Sequence, residues 1–263
     1  NMIKGDYSTM LGSAKVGKKE SLIQSDWDYV SGMNLDYLVF SRSWEPKVLG
    51  DEEDQITGLV KINDSTFACM LISGSMNLWK IEGKEAQCYD KIQIADSRIK
   101  AYCMIEDDII AVAAKNEITV WQISSKACLL TLKGHTDNII CLTKISFGKI
   151  ASSSFDKTIR IWDISTRSCL AVCEQDNPIT SIAMLTPSTI LLGDITGIVF
   201  IKNYQTQEII QTLNTNQEDS VVRQILVQSP GYFIVTFYKN DKFQKFTFDA
   251  EENKFTVKQH RAS

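Results

Sequence analysis

Apolar and polar residues alternate along this chain in short runs, and the runs come in groups of four. The clearest group is NIICLTKI (138–145), GKIASSS (148–154), KTIRIWDI (157–164) and RSCLAVC (167–173). Each run has strand length and a period of two, and turn-forming residues separate it from the next. The stretch before it offers RIKAYCMI, IIAVAA, EITVWQI and ACLLTL, and the stretch after it PITSIAML, TILLG, GIVFIKN and EIIQTL. Near the C-terminus SVVRQILV, YFIVTFY, KFQKFTF and KFTVK keep the rhythm. No stretch sustains a helical period. With only 4 prolines in 263 residues, strands are seldom interrupted. The pattern predicts an all-β protein.

The groups repeat. WQISSKACLL begins at 121 and WDISTRSCLA at 162, 41 residues later, and the two match in residue type at nearly every position. KNYQTQEIIQ follows at 202, and WKIEGKEAQC precedes at 79. A period of roughly 40–45 residues is what four short strands and their turns require. A four-stranded antiparallel sheet with two apolar faces does not bury itself alone; stacking such sheets radially covers both faces. The expected architecture is therefore a β-propeller of four-stranded antiparallel blades.

One unit carries a motif. Within LKGHTDNIICLTKISFGKIASSSFDKTIRIWD (132–163) stand Gly134-His135, an apolar strand, a small-residue strand, Asp156 before the third strand, and Trp162-Asp163. This segment resembles a WD repeat. The resemblance implies a buried hydrogen-bonded chain of His135, Ser152, Asp156 and Trp162. The other units depart from the pattern: Trp79 and Trp121 keep the tryptophan without Gly-His, and Lys202 and Thr196 stand where the fourth unit would have Trp and Asp. The resemblance is close over about 97–213 and weaker over 55–96 and 214–258. Read as a single domain, 1–263 holds five repeat units over 55–258 and an irregular first unit over 1–54. There DYLVFSRSW (36–44) followed by KVL suggests outer strands, and STMLGSAKV (8–16) a ring-closing strand. Six blades result, or seven with one irregular; the acidic stretch 50–54 reads as a solvated loop between blades. Asn1 precedes Met2, which suits a chain taken from a longer one.

Composition narrows the function. The net charge is −4, so no basic surplus favours sequence-independent nucleic-acid binding. No apolar run approaches the roughly 20 residues that span a bilayer, and the N-terminus lacks a signal-peptide core. The 7 cysteines form no CxxC pair, and several sit in β-like apolar runs. They read as reduced core thiols of an intracellular, cytoplasmic protein.

Candidate chemistry is sparse. His135, Asp156 and Ser152 have the composition of a catalytic triad, but they fit a buried structural pattern, whereas a nucleophile needs an exposed, activated oxygen. His260, the only other histidine, lies beside the C-terminus. Cys169 and Cys173, four apart on a strand, would point the same way about 13 Å apart, too far for one zinc ion. Gly12 to Lys19 nearly matches a phosphate loop, but Lys19 replaces the hydroxyl that holds magnesium. The expectation is a non-enzyme without metal or cofactor: a protein-interaction scaffold or recognition domain. Alternatives are the substrate-recognition module of a ubiquitin ligase and a structural subunit of a cytoskeletal or ciliary assembly. The family resemblance implies a docking face at the turns joining successive blades, where Arg98, Lys100, Asn138, Ile140, Phe155, Thr180, Ile195 and Arg223 would stand. The partner suited to it is a protein or peptide, acidic and with an apolar anchor, and neither nucleic acid nor membrane.

Overall fold

A computed structural model describes residues 54, 56–82, 85–215, 220–238 and 243–258. They form twenty strands in five four-stranded sheets. The first sheet is β1 (Ile56–Lys61), β2 (Thr66–Leu71), β3 (Ser75–Glu82) and β4 (Glu85–Gln93). The second is β5 (Ile99–Glu106), β6 (Ile109–Ala114), β7 (Glu117–Gln122) and β8 (Ala127–Lys133). The third is β9 (Ile139–Ser146), β10 (Lys149–Ser154), β11 (Thr158–Asp163) and β12 (Ser168–Glu174). The fourth is β13 (Ile179–Thr186), β14 (Thr189–Asp194), β15 (Ile198–Asn203) and β16 (Ile209–Asn214). The fifth is β17 (Val222–Ser229), β18 (Tyr232–Phe237), β19 (Phe243–Asp249) and β20 (Lys254–Lys258). Within each sheet, strands pair antiparallel in sequence order.

The core explains the stacking. Four apolar clusters each join residues of two consecutive sheets. Met70, Leu78, Ile99 and Ile110 join the first two. Ile118, Leu132, Ile150 and Trp162 join the second and third. Ile161, Cys173, Ile182 and Ile190 join the third and fourth. Leu191, Val222, Phe233 and Phe246 join the fourth and fifth. The opening strands of consecutive sheets pack on one another, and each fourth strand lies at the edge of its sheet. This is propeller packing, in which alternation along each strand feeds the two junctions on either side. Close approach is exacting at Gly193, where an added Cβ would collide with Val222 Cγ1.

The outer strands hold a feature that alternation alone does not predict. In β4, β8, β12 and β16 the register slips by one residue at the same place, leaving Tyr89, Leu129, Leu170 and Ile210 as the extra residues of β-bulges. All four are large and exposed. The bulge corrects the reading of Cys169 and Cys173. They do not point the same way: the extra residue between them reverses the alternation, so Cys169 packs toward the second sheet and Cys173 toward the fourth. The thiols are not uniformly core either. All seven are free, but only Cys69 and Cys173 are buried, while Cys88 and Cys128 are exposed at bulged edges. The segments 8–16, 12–19, 36–44 and 50–53 and His260 lie outside the described residues.

Candidate functional site

The third sheet builds a continuous buried polar chain. His135, in the loop before β9, is 3% exposed, Ser152 in β10 is fully buried, and Trp162 in β11 is 2% exposed. His135 Nδ1 lies 2.8 Å from Asp156 Oδ2, and His135 Nε2 lies 2.8 Å from Ser152 Oγ. Trp162 Nε1–H donates to the same Ser152 oxygen at 2.8 Å. The partners fix the protons. The carboxylate requires a proton on Nδ1, so Nε2 accepts the serine hydroxyl proton, and the serine lone pairs accept from the indole. Burial lowers the His135 pKa; the Asp156 interaction opposes this but does not reverse it. The ring is therefore neutral at neutral pH.

Asp156 is the hub. Burial disfavours its charge, but Thr158, Thr136 and His135 all donate to it and together hold its pKa down at about 2. Thr158 Oγ1 donates to Oδ1 at 2.7 Å, and the amides of Thr158 and Thr136 approach at 2.9 and 3.0 Å. Thr158 is a member that sequence reading missed; its signal was a hydroxyl two residues after the turn aspartate, the spacing of an Asx turn. Gly134 has its own reason: a Cβ there would lie 2.9 Å from Arg160 Nη1 and 3.2 Å from the Trp162 ring.

The neighbouring sheets show what the chain replaces. In the second and first sheets the strand registers put Val112 and Cys69 at the Ser152 position, and the indole N–H groups of Trp121 and Trp79 are buried with no hydrogen-bond partner. In the fourth sheet Lys202 holds the tryptophan position. There the turn carboxylate comes from Asp194, two residues before the expected Thr196. It accepts from the amides of Thr196 and Ile198, both at 2.9 Å, and from the Thr196 hydroxyl at 2.8 Å. The geometry suits bracing a blade rather than nucleophilic chemistry, because the Ser152 hydroxyl is sealed between two rings.

A second group of residues faces outward. Phe155, Ile195 and Tyr238 each follow the second strand of their sheet, and their amides donate to the carbonyls of Asn138, Pro178 and Val221. These are the same bond in three consecutive sheets, so the three side chains are equivalent in place. Ile72 and Lys115 follow β2 and β6 at the same point. Phe155 is 45% exposed, Tyr238 42% and Ile72 37%. Lys100 Nζ lies 5.5 Å above the Phe155 ring, and the Arg223 guanidinium 5.7 Å above the Tyr238 ring. Arg98, Asn138, Ile140 and Ile195 are half-buried beside them. Thr180 differs: its hydroxyl lies 2.6 Å from the Val222 carbonyl and 3.1 Å from that of Gly193, so it is engaged between sheets rather than offered to a partner. Ile72 and Tyr238 were missed from the sequence, though the position just after each second strand marks both. Among the described residues, no three His, Cys, Asp or Glu side chains are placed to hold a metal ion.

The family model described as "WD domain, G-beta repeat" matches residues 126–163, the stretch that runs from the turn before β8 to Trp162-Asp163. The chain thus carries a WD repeat over these residues. Among curated relatives, the target of rapamycin complex subunit wat1 of Schizosaccharomyces pombe is 31% identical over 99 residues, covering 36% of this chain and 32% of that protein. Autophagy-related protein 16 of Arabidopsis thaliana is 32% identical over 77 residues, covering 25% and 15%. The matched stretches thus span less than a third of those relatives. Among solved structures, a chain of the mitotic checkpoint complex superposes with a TM-score of 0.67 at 13% identity, covering 80% of this WD-repeat chain and 65% of its own. The computationally designed protein Ika8 gives a TM-score of 0.61 at 18% identity, covering 73% and 58%. These likenesses show the fold.

Proposed function

We propose that this WD-repeat chain is a non-catalytic platform that binds other proteins through the face carrying Ile72, Phe155, Ile195 and Tyr238. One observation carries the reading: the turn after the second strand presents a large apolar side chain in four of five sheets, two of them capped by a cation. Isolated exposed hydrophobes are ordinary; a series at equivalent turns, rimmed by charge, is the anchor-and-rim arrangement of an interface. Lys100, Lys115, Lys157 and Arg223 supply cations, and Asp96, Asp137 and Asp176 stand in the loops between sheets. The Lys100–Phe155 pair suits a partner segment bearing an apolar anchor beside a carboxylate. The name of wat1, a complex subunit, agrees with a role inside an assembly. The buried state of Ser152 and His135 argues against their acting on a substrate.

The test is affinity purification from the native cell with wild type and with Phe155→Ala/Lys100→Glu, after thermal melts show that both fold. Selective loss of partners from the double variant is expected. Recovery of every partner at equal yield would place the binding site elsewhere.

A further inference from the structure

In the first four sheets the outer strand lies beside the fourth strand of the next sheet or the turn that leads into it. One position governs how tightly. Opposite the residue that precedes the tryptophan site stand Asp90 in β4, Leu130 in β8, Ala171 in β12 and Gln211 in β16. Three of these reach across their junction. Asp90 pairs with Lys126 at 2.6 Å. Leu130, like Ile109 and Ile164, packs against the cluster between the second and third sheets. The Gln211 carboxamide exchanges two 2.9 Å hydrogen bonds with the backbone of Phe255. Ala171 packs against the cluster between the third and fourth sheets with only a methyl group, and beside it opens a cavity of about 430 Å³.

The cavity has a definite chemistry. Ala171, Leu170, Val172 and Tyr204 give it apolar walls, and Leu170 and Val172 are each 50% exposed at its mouth. Lys149 enters where the preceding junction has Ile109: both open the second strand of their sheet, opposite the residue after the tryptophan. Among the described residues no carboxylate pairs with the Lys149 ammonium. Its cross-strand neighbour Asp163 instead accepts from Ser165 and Thr166. The volume lies in the range of binding pockets, which combine apolar walls with a few placed polar groups.

We infer that the junction between the third and fourth sheets is a second docking pocket, separate from the turn face. It takes one bulky apolar side chain from an extended segment of a partner protein, with a nearby carboxylate of that segment on Lys149. The Gln205 carboxamide lines the rim, where it meets the segment's backbone. The charge of the occupant follows from Lys149, and its single anchor from the missing side-chain length at Ala171.

The probe is a phage-displayed library of random peptides selected on the wild-type chain. Selected peptides are then measured by fluorescence polarisation against wild type, Ala171→Leu, Lys149→Glu and Phe155→Ala. Ala171→Leu installs what the preceding junction already carries, so the fold should persist with an unchanged or raised melting temperature. Val172→Glu, at a half-exposed edge position, blocks the mouth without touching the core and serves if Ala171→Leu melts early. The expected result is a peptide class pairing a bulky apolar residue with an acidic one. Its affinity should fall tenfold or more for Ala171→Leu (or Val172→Glu) and for Lys149→Glu, and stay unchanged for Phe155→Ala. Peptides that bind the filled or blocked pocket as well as wild type would overturn the inference, as would selection yielding only peptides sensitive to Phe155→Ala. The second outcome leaves the turn-face reading intact, so the two proposals fail separately.

Discussion

Replacing Ser152 with alanine removes one oxygen and strands two buried groups. The hydroxyl is the sole hydrogen-bond link between the His135 ring and the Trp162 indole, at 2.8 Å to each. Bulk solvent does not reach the site, since Ser152 is fully buried and both rings are nearly so. A buried polar group left without a partner costs about 1–3 kcal/mol. Two such groups set a ceiling near 6 kcal/mol. The fold lowers that figure, because it already accommodates unpartnered indoles at Trp79 and Trp121. We therefore expect about 3 kcal/mol. At roughly 2–4 °C per kcal/mol for a chain of this size, the melting temperature should drop by about 6–12 °C. Differential scanning fluorimetry at pH 7 reads this directly, with the exposed Ser125→Ala as a control expected within about 0.5 kcal/mol of wild type. A Ser152→Ala melt within about a degree of wild type would mean that the hydroxyl does not hold the chain together.

Acid should loosen the same cluster in two stages. The lowered His135 pKa means that stability is full above the ordinary imidazole value near 6.5 and falls as pH drops toward the folded value. Asp156, held at about 2, contributes about 2 kcal/mol that is present above pH 4 and lost as pH falls through 2; melts of Asp156→Asn across this range should show a flatter acid limb. Thiol labelling of the native protein should modify Cys88 and Cys128 within minutes and spare Cys69 and Cys173, with all seven reacting after denaturation; mass spectrometry distinguishes them. Burial pushes the Cys103 thiol up to about 12 and Cys141 up to about 11, so these two should label slowly as well. Gly193→Ala should cost about 1–3 kcal/mol by forcing Val222 away, and a melting temperature equal to wild type would contradict that contact.

Strand content and the repeat were legible because every junction draws on both faces of a sheet, so alternation runs through each strand. The four segments read in the third unit fall within a residue or two of β9 to β12. The fifth sheet, without any motif, was visible from rhythm alone. The polar chain was legible only where His135, Ser152, Asp156 and Trp162 all occur together. In the fourth sheet Asp194 was overlooked because a carboxylate two residues early still reaches the turn amides. The face assignments of Cys169 and Cys173 failed for a specific reason: a bulge leaves no mark on hydrophobic periodicity except one more apolar residue, which reads as ordinary strand. The outward turn residues Ile72 and Tyr238 carried no pattern of their own within a unit, and only comparison across units exposes them.

A strand at the rim of a sheet is an adhesive surface, with a free row of amides and carbonyls ready to recruit another chain. Among the described residues each of the five sheets has such a rim, and these are blunted by two different means. In β4, β8, β12 and β16 the extra residue interrupts the row and twists it, so that a straight foreign strand loses register midway. β20 pairs with β19 without a slip and instead opens on the exposed Lys254, so charge replaces distortion as the deterrent. Deleting Leu170 would therefore do more than shorten a strand. It would straighten one rim and restore a template for sheet growth, so a variant designed only to tidy the repeat would trade solubility for regularity.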